Sequence, residues 1–242
     1  MDCGTDRDLN VLIQICGKSP APLVDSQLAR MDQAFSPSVL SIVEWVRPFR
    51  ALRIALLLTY DSFPLLVLLA AMVPTLQGRY RYSYRLLWEV TMAGVVTAAM
   101  FALWPAVGPW VVYGFKPTPD QAAAQNFLLA LKSHHPMAVS NDVAAIVSFP
   151  SFHVVLALFS APPLWQYRLF RPVVAFLTLG ICVSTVTTGW HYVVDVLGGL
   201  AVTAAIYPLA NRFLDFVLTP RSASSSLGEV GSKPAGDEVT SL

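Results

Sequence analysis

Charged side chains are scarce in this sequence. Asp, Glu, Lys and Arg make up 13% of the 242 residues, hydrophobic residues make up 55%, and the mean hydropathy is +0.57. Soluble domains carry about 25% charged residues on average. The composition therefore excludes an ordinary soluble domain and indicates a polytopic membrane protein, for which the membrane itself is a partner.

A large net charge and a set of paired cysteines are missing as well. With 16 basic and 15 acidic residues the formal net charge is +1, so no strong field attracts nucleic acid and no nucleic-acid partner is expected. Cys3, Cys16 and Cys182 are odd in number and far apart. Their spacing indicates neither a disulfide framework nor a zinc cluster.

The first residues show no signal-peptide pattern, so we expect no cleaved signal. The only early apolar run, residues 11–16, is too short for a signal core and follows acidic residues. Residues 1–35 are mostly polar, so we expect a polar N-terminal segment there. Ser36 and Pro37 precede apolar residues at helical spacing over 39–49, which predicts a capped amphipathic helix lying on the membrane surface.

Apolar runs of about 16 to 21 residues fill most of the remaining chain, close to the roughly 20 residues that a membrane-crossing helix needs. The five runs are 54–74, 90–110, 146–164, 173–188 and 193–209. The predicted fold is all-α, a transmembrane helical bundle of five spans, or six if a further helix precedes Met1. We expect residues 36–217 to form the membrane domain and the Ser- and Gly-rich residues 218–242 to form a disordered tail.

Basic residues near the span ends predict the orientation, because cytoplasmic loops carry an excess of Lys and Arg. Alternate threading of the five spans gathers most of them on one side. These residues are Arg79, Arg81, Arg85, Arg168, Arg171, Arg212 and Arg221. His153 and His191 fall on the opposite, non-cytoplasmic side. The non-cytoplasmic side also receives Arg47, Arg50 and Arg53, which contradicts the cytoplasmic excess of basic residues. A missing first helix would explain this exception.

Two short motifs each place a histidine at the start of an apolar segment. Residues 149–153 are Phe-Pro-Ser-Phe-His, and residues 189–195 are Gly-Trp-His-Tyr-Val-Val-Asp. If a helix begins near His191, Asp195 lies one turn along on the same face and can hold the ring tautomer. A neutral imidazole can attack phosphorus and divide a difficult displacement into two steps. His153 can then act as general acid, and Ser151 with nearby backbone amides can bind phosphate oxygens.

In this order, the two motifs resemble the second and third motifs of the type 2 phosphatidic acid phosphatase superfamily. The resemblance covers roughly residues 50–215 and is closest to the inositolphosphotransferase-like branch, which includes inositol phosphorylceramide synthases. It implies the same roles for His191, His153 and Asp195. It also implies a metal-independent enzyme without a cofactor that acts on a phospholipid or lipid phosphate through a phosphohistidine, with water or an alcohol as acceptor.

The sequence departs from the superfamily pattern at positions that bind phosphate. No Lys-x6-Arg-Pro motif precedes Pro150, and Thr185 stands where the third motif usually has arginine. A bound phosphate still needs cationic side chains. We predict that Lys132 replaces the missing basic residues. It lies near the end of a short helix that begins around Thr118, and Lys116 is a weaker candidate. Ser151, Lys132 and Thr185 are therefore the predicted substrate-binding residues.

Other interpretations remain open at this point. One is a phosphatase acting on phosphatidic acid or an isoprenyl diphosphate, and another is a non-catalytic lipid-binding membrane protein. A zinc site at His153, His191 and Asp195 would normally need a third nitrogen or sulfur donor. His134 and His135 are adjacent and are expected in a loop outside the site. The sequence assigns no oligomeric state.

Overall fold

The described residues of the protein form helices and, in these ranges, no strand. A computed structural model describes residues 4–35, 37–133 and 146–218. The helices are α1 (Gly4–Gly17), α2 (Asp25–Asp32), α3 (Val39–Val46), α4 (Arg50–Tyr60), α5 (Phe63–Leu76), α6 (Tyr80–Leu103), α7 (Pro109–Tyr113), α8 (Pro119–Lys132), α9 (Phe152–Trp165), α10 (Arg171–Thr187) and α11 (Val193–Leu218). The predicted tail from 219 onward, Ser36, His134 and His135 lie outside the described residues.

Three helical stretches are long and apolar enough to cross a membrane: Arg50–Leu76, Tyr80–Leu103 and Val193–Val217. The first consists of α4 and α5, separated by a turn at residues 61–62. Helices α9 and α10 are apolar but have only 14 and 17 residues, about 21 and 26 Å. Large apolar side chains cover the outside of the bundle. The prediction of an all-helical membrane bundle is therefore confirmed.

Two of the predicted spans have wrong boundaries. The span predicted at 90–110 is α6, which begins ten residues earlier because its charged residues are accommodated inside the bundle. Arg85 donates to Glu89 at 2.8 Å, one turn along, and its guanidinium lies 4.0 Å from the centre of the Tyr207 ring. Helix α6 ends at Leu103, since Pro105 disfavours helical backbone in the residue before it. The span predicted at 146–164 begins only at Phe152, after the Phe-Pro-Ser segment.

Helix α9 lies in the middle of the bundle and packs against α5, α6, α10 and α11. At one end, here called the hairpin end, Arg79 donates to Gln166, and Arg81 pairs with Asp215 at 2.5 Å. The α5–α6 and α9–α10 connections and the end of α11 therefore lie together. The opposite end, here called the site end, carries the first residues of α4, α9 and α11 and the last residues of α6 and α10.

The polar N-terminal segment contains two helices that pack against the bundle. Helix α1 contacts α6 and α8, and α2 contacts α7 and α11. Val24, Leu28 and Ala29 share an apolar cluster with Tyr192. Residues 25–32 are therefore part of the site end of the bundle.

The predicted surface helix is α3, but its N-cap differs from the expectation. The N-cap is Ser38, whose hydroxyl accepts a hydrogen bond from the Ser41 amide at 3.3 Å. Val39 and Val46 are buried, and α3 packs against α10. The expected helix near Thr118 is α8, where Thr118 and Gln121 form a capping box.

Candidate active site

The two histidine motifs meet where α9 and α11 begin. The Ser151 amide donates to the main-chain carbonyl of Asp195 at 3.0 Å. Two glycines on α11 permit this contact. A Cβ on Gly199 would lie 2.7 Å from the Ser151 carbonyl oxygen, and a Cβ on Gly198 would lie 2.9 Å from the Phe149 ring. This close packing holds the two motifs side by side.

His191 is held in one tautomer by two acceptors. Its Nδ1 lies 2.9 Å from the Ser148 carbonyl oxygen and 3.3 Å from Asp195 Oδ2. A carbonyl oxygen can only accept, so we assign the ring hydrogen to Nδ1. The Nε2 lone pair is then free, and only 2% of the His191 surface is exposed. A neutral imidazole in this state can act as a nucleophile.

Asp195 receives several donors although α11 begins at Val193 and not at His191 as expected. Its Oδ2 accepts from the Tyr192 amide at 2.9 Å and the Ser148 hydroxyl at 3.1 Å, besides the His191 ring. The carboxylate therefore caps the helix and reaches back to the histidine from the first turn. The predicted partnership of His191 and Asp195 is present in this geometry.

His153 lies beside His191, with 5.9 Å between the ring centres. The Tyr60 hydroxyl lies 3.5 Å from His153 Nδ1, and the Phe63 ring meets the imidazole edge-on at 4.5 Å. Trp190 stacks on Tyr60 at 6.4 Å. The aromatic wall was not predicted, because one tyrosine in an apolar run carries no distinctive sequence signal.

The family model of the PAP2 superfamily matches residues 26–209, about three quarters of the chain. The chain belongs to the PAP2 superfamily. No curated protein and no solved structure matches it. Members of this superfamily are phosphatases, which supports an enzyme that acts on lipid phosphates in the membrane. The match includes both histidine motifs and most of α2.

Two of the predicted substrate-binding residues of this PAP2 protein lie beside the histidines. Ser151 is fully buried, and its hydroxyl has no hydrogen-bond partner within the described part of the chain. The Thr185 carbonyl accepts from the His191 amide at 3.1 Å, while its hydroxyl donates to the Cys182 carbonyl at 2.8 Å. Thr185 thus supports the His191 main chain. Phosphate binding by both residues stays a prediction.

Lys132 is not brought to the histidines by its observed contacts. Its ammonium group donates to the carbonyls of Ser19 and Ala21 at 2.9 and 2.6 Å, and burial lowers its pKa. These bonds tie the end of α8 to the connection between α1 and α2. The structure thus gives Lys132 a structural contact, and its predicted role in substrate binding stays a prediction.

Two acidic residues of α2, missed by the sequence analysis, hold the loop around His191. Asp32 accepts from the Val193 amide at 2.7 Å, and also from the Tyr113 hydroxyl and the Val39 amide at 3.2 and 3.4 Å. Asp25 and Asp32 are both buried. They are seven residues apart, which puts them on one face of the helix. That spacing, with Leu28 and Ala29 between them, is the signal that could have identified the pair of Asp25 and Asp32.

Asp25 fixes the segment that faces Tyr192. Its carboxylate accepts from the Val107 and Gly108 amides at 3.0 and 2.8 Å and from the Tyr192 hydroxyl at 3.4 Å. Burial raises the pKa of Asp25, whereas these three donors lower it. An ionised carboxylate only accepts hydrogen bonds, so these three donors favour the ionised form of Asp25. Tyr192, the residue after His191, is therefore anchored to α2.

We expect Asp32→Ala to destabilise the protein by about 2 to 4 kcal/mol, because it leaves buried amide donors without acceptors at about 1 to 3 kcal/mol each. Turnover of a lipid phosphate should also fall, since the Val193 amide anchors the loop of His191. Thermal unfolding in detergent and a turnover assay measure both effects. Asp215→Ala is the control, because its pair with Arg81 is exposed and such pairs contribute about 0 to 1 kcal/mol. Equal stability of the two variants would contradict the anchoring role of Asp32.

Proposed function

We propose that this PAP2-superfamily protein transfers a phosphoryl or phospho-headgroup from a membrane lipid through a phosphohistidine at His191. The observation that carries the proposal is the hydrogen bond from His191 Nδ1 to the Ser148 carbonyl, which leaves Nε2 unprotonated. His153 lies close enough to serve the same phosphorus centre. The arrangement supplies a nucleophile, an acid and an orienting carboxylate.

In the first half of the proposed reaction, His191 Nε2 attacks phosphorus and the bond from phosphorus to the lipid oxygen breaks. His153 gives its proton to the departing alkoxide. A bound phosphate anion favours the protonated form of His153, because opposite charges attract. Asp195 stabilises the positive charge that the phosphorylated ring of His191 acquires.

In the second half, the acceptor attacks the phosphohistidine and loses its proton to His153. The phosphorus–nitrogen bond breaks, and His191 returns to its neutral form. Water as acceptor gives hydrolysis, and an alcohol gives transfer. We favour inositolphosphotransferase-like transfer without a metal, because Thr185 occupies the position where the hydrolytic motif usually has arginine. The described ranges hold no group of three or more His, Cys, Asp or Glu side chains suited to a metal ion.

We also propose that the active site faces the non-cytoplasmic side. Arg79 and Arg81 lie at the hairpin end, where they contact Gln166 and Asp215, and the histidines lie at the site end. Since cytoplasmic ends carry the excess of basic residues, the hairpin end is assigned to the cytoplasm. The assay described next, run in sealed right-side-out vesicles, should consume an impermeant acceptor supplied from outside.

The test is to incubate the purified protein with phosphorus-labelled phosphatidic acid or phosphatidylinositol, with and without inositol, and to quench rapidly. We expect acid-labile, base-stable label on the peptide that contains His191, with or without a chelator. With phosphatidic acid, hydrolysis releases inorganic phosphate and transfer to inositol gives inositol phosphate. With phosphatidylinositol, hydrolysis releases inositol phosphate and transfer to inositol gives a new phosphodiester. Absence of both label and product with either lipid, or loss of turnover with the chelator, contradicts the proposal as stated.

A further inference from the structure

A cavity whose lining does not include the two histidines opens at the site end of the bundle. It has a volume of about 160 Å³ and a largely apolar lining that includes Val43, Val46, Leu57 and Phe115. The charged and polar side chains of the lining are Arg47, Arg53, Lys116, Glu44, Thr187 and Thr188. One water occupies about 30 Å³ of liquid. The cavity therefore has room for a small anionic group.

The charges of this cavity are not neutralised by the protein. Arg47, Arg53 and Lys116 form no ion pair with any residue that the structure describes, and their side chains are exposed. Three cations and the carboxylate of Glu44 leave a net lining charge of +2. An open cavity with unpaired positive charge attracts anions.

Helix α4 connects this cavity to the catalytic histidines. Arg53, Leu57 and Tyr60 are spaced four and three residues apart, so they lie on one face of the helix. Tyr60 touches His153, and Arg53 lies about 10 Å further along the axis toward the site end. On α10, Thr188 is three residues before His191, and its carbonyl accepts from Gln121 at 3.2 Å. The cavity therefore lies next to the histidines, on the side nearer the site end of the bundle.

The position of these arginines also resolves a conflict in the charge pattern. Arg47 and Arg53 lie at the end opposite the basic hairpin end, where the distribution of Lys and Arg in membrane proteins disfavours them. An anionic ligand at the site end gives a physical reason for arginine there, since guanidinium groups bind phosphate and carboxylate oxygens with paired hydrogen bonds.

We propose that this cavity binds a second, non-reacting anionic group of the substrate headgroup, a phosphate or a carboxylate, while His191 attacks the reacting phosphorus. The proposal rests on the proposed function and narrows its substrate class. Preferred lipids carry an anionic group besides the phosphate that reacts. Lys116, predicted from the sequence as a weaker phosphate ligand, belongs to this cavity.

The kinetic test compares phosphatidylinositol with phosphatidylinositol 4-phosphate, which adds one anionic group to the same headgroup. We expect Arg47→Gln and Arg53→Gln each to raise KM for the phosphorylated lipid about tenfold, with kcat unchanged and KM for the plain lipid nearly constant. Glu44→Gln should shift KM for the phosphorylated lipid in the opposite direction. Salt should reduce these differences, because exposed charges are screened.

Arg50→Gln is the matched control, since Arg50 is an exposed arginine on the same helix that does not line the cavity. An equal KM change in Arg50→Gln and Arg53→Gln, or equal changes for both lipids, overturns the proposal. Inorganic phosphate added as a competitor distinguishes a site for free phosphate. If the cavity binds free phosphate, inorganic phosphate inhibits the wild type, and the arginine variants have the same KM for each lipid as the wild type. That result would show that the cavity does not bind the substrate headgroup.

A binding measurement separates this proposal from the proposed function. Short-chain versions of both lipids are titrated calorimetrically into His191→Ala and into His191→Ala with Arg53→Gln. We expect tighter binding of the phosphorylated lipid to the first protein and loss of that preference in the second, whether or not any turnover is seen. Equal affinity of both lipids for His191→Ala overturns the cavity assignment, and the phosphohistidine experiment is unaffected by that result.

Discussion

His191→Ala is expected to stop release of the leaving group from every phosphate ester, whereas His153→Ala is expected to slow that release strongly only where the leaving group is poor. Without Nε2 of His191 no phosphoenzyme forms, and loss of a nucleophile costs about 10⁴-fold or more in kcat. His153 protonates the departing oxygen, a role that contributes about 10²- to 10⁴-fold for an alkoxide. A p-nitrophenolate departs without that proton.

The measurement is the rate of leaving-group release in the first turnover, for phosphatidic acid and for p-nitrophenyl phosphate with each variant, because later turnovers also need His153 as the base that activates the acceptor. His153→Ala should lose at least a hundredfold on the lipid and less than about tenfold on the nitrophenyl ester. Tyr60→Phe is the matched control, because it removes only the hydroxyl that lies 3.5 Å from His153. If His153→Ala slows both substrates equally, His153 is not the general acid, and substantial turnover by His191→Ala excludes His191 as nucleophile.

The meeting of the two histidine motifs could be predicted from the sequence because each motif carries its own local geometry. His153 and Asp195 lie in the first turns of apolar helices, and alternate threading of the spans puts those helix starts at one end. The short connection between α10 and α11 then leaves His191 little freedom. The spacing within each motif and the order of the motifs along the chain therefore predict that His153, His191 and Asp195 lie together.

The groups that position the catalytic residues could not be predicted in the same way. The acceptor for His191 is the main-chain carbonyl of Ser148, and a carbonyl is present at every residue, so it leaves no trace in the sequence. Asp32 belongs to a segment of polar composition 161 residues before Val193 along the chain. Its burial depends on amide donors that become available only when α11 has packed against α2.

Span boundaries failed for a related reason. A hydropathy profile penalises the charges of Arg85 and Glu89, although these two side chains satisfy each other at 2.8 Å inside α6. Burial of a paired charge is tolerated where an isolated one is not. The profile also extends an apolar run through Phe149 and Pro150, although α9 begins only at Phe152, after Ser151 has met α11.

Asp195→Asn is expected to lower kcat about 100- to 1,000-fold, equivalent to about 3 to 4 kcal/mol in the barrier. This loss is smaller than the roughly 10⁴-fold cost of the same change in a serine protease triad, where the wrong tautomer results. Here the Ser148 carbonyl still holds the hydrogen on His191 Nδ1. The variant loses the negative charge that stabilises the phosphorylated ring, but not the orientation of the nucleophile.

Ser148→Ala is the matched control, because it removes the hydroxyl bond to Asp195 Oδ2 and keeps the main-chain carbonyl that His191 uses. We expect a smaller loss than for Asp195→Asn, because Asp195 Oδ2 keeps its hydrogen bonds from the Tyr192 amide and the His191 ring. The unfolding temperature of each variant shows whether lower kcat reflects a damaged fold. A loss of 10⁴-fold or more in a stable Asp195→Asn protein would show that the carboxylate, and not the carbonyl, sets the tautomer. A loss below tenfold would mean that the charge of Asp195 contributes little to the phosphohistidine step, leaving the acceptors around Nδ1 as the principal control of the nucleophile.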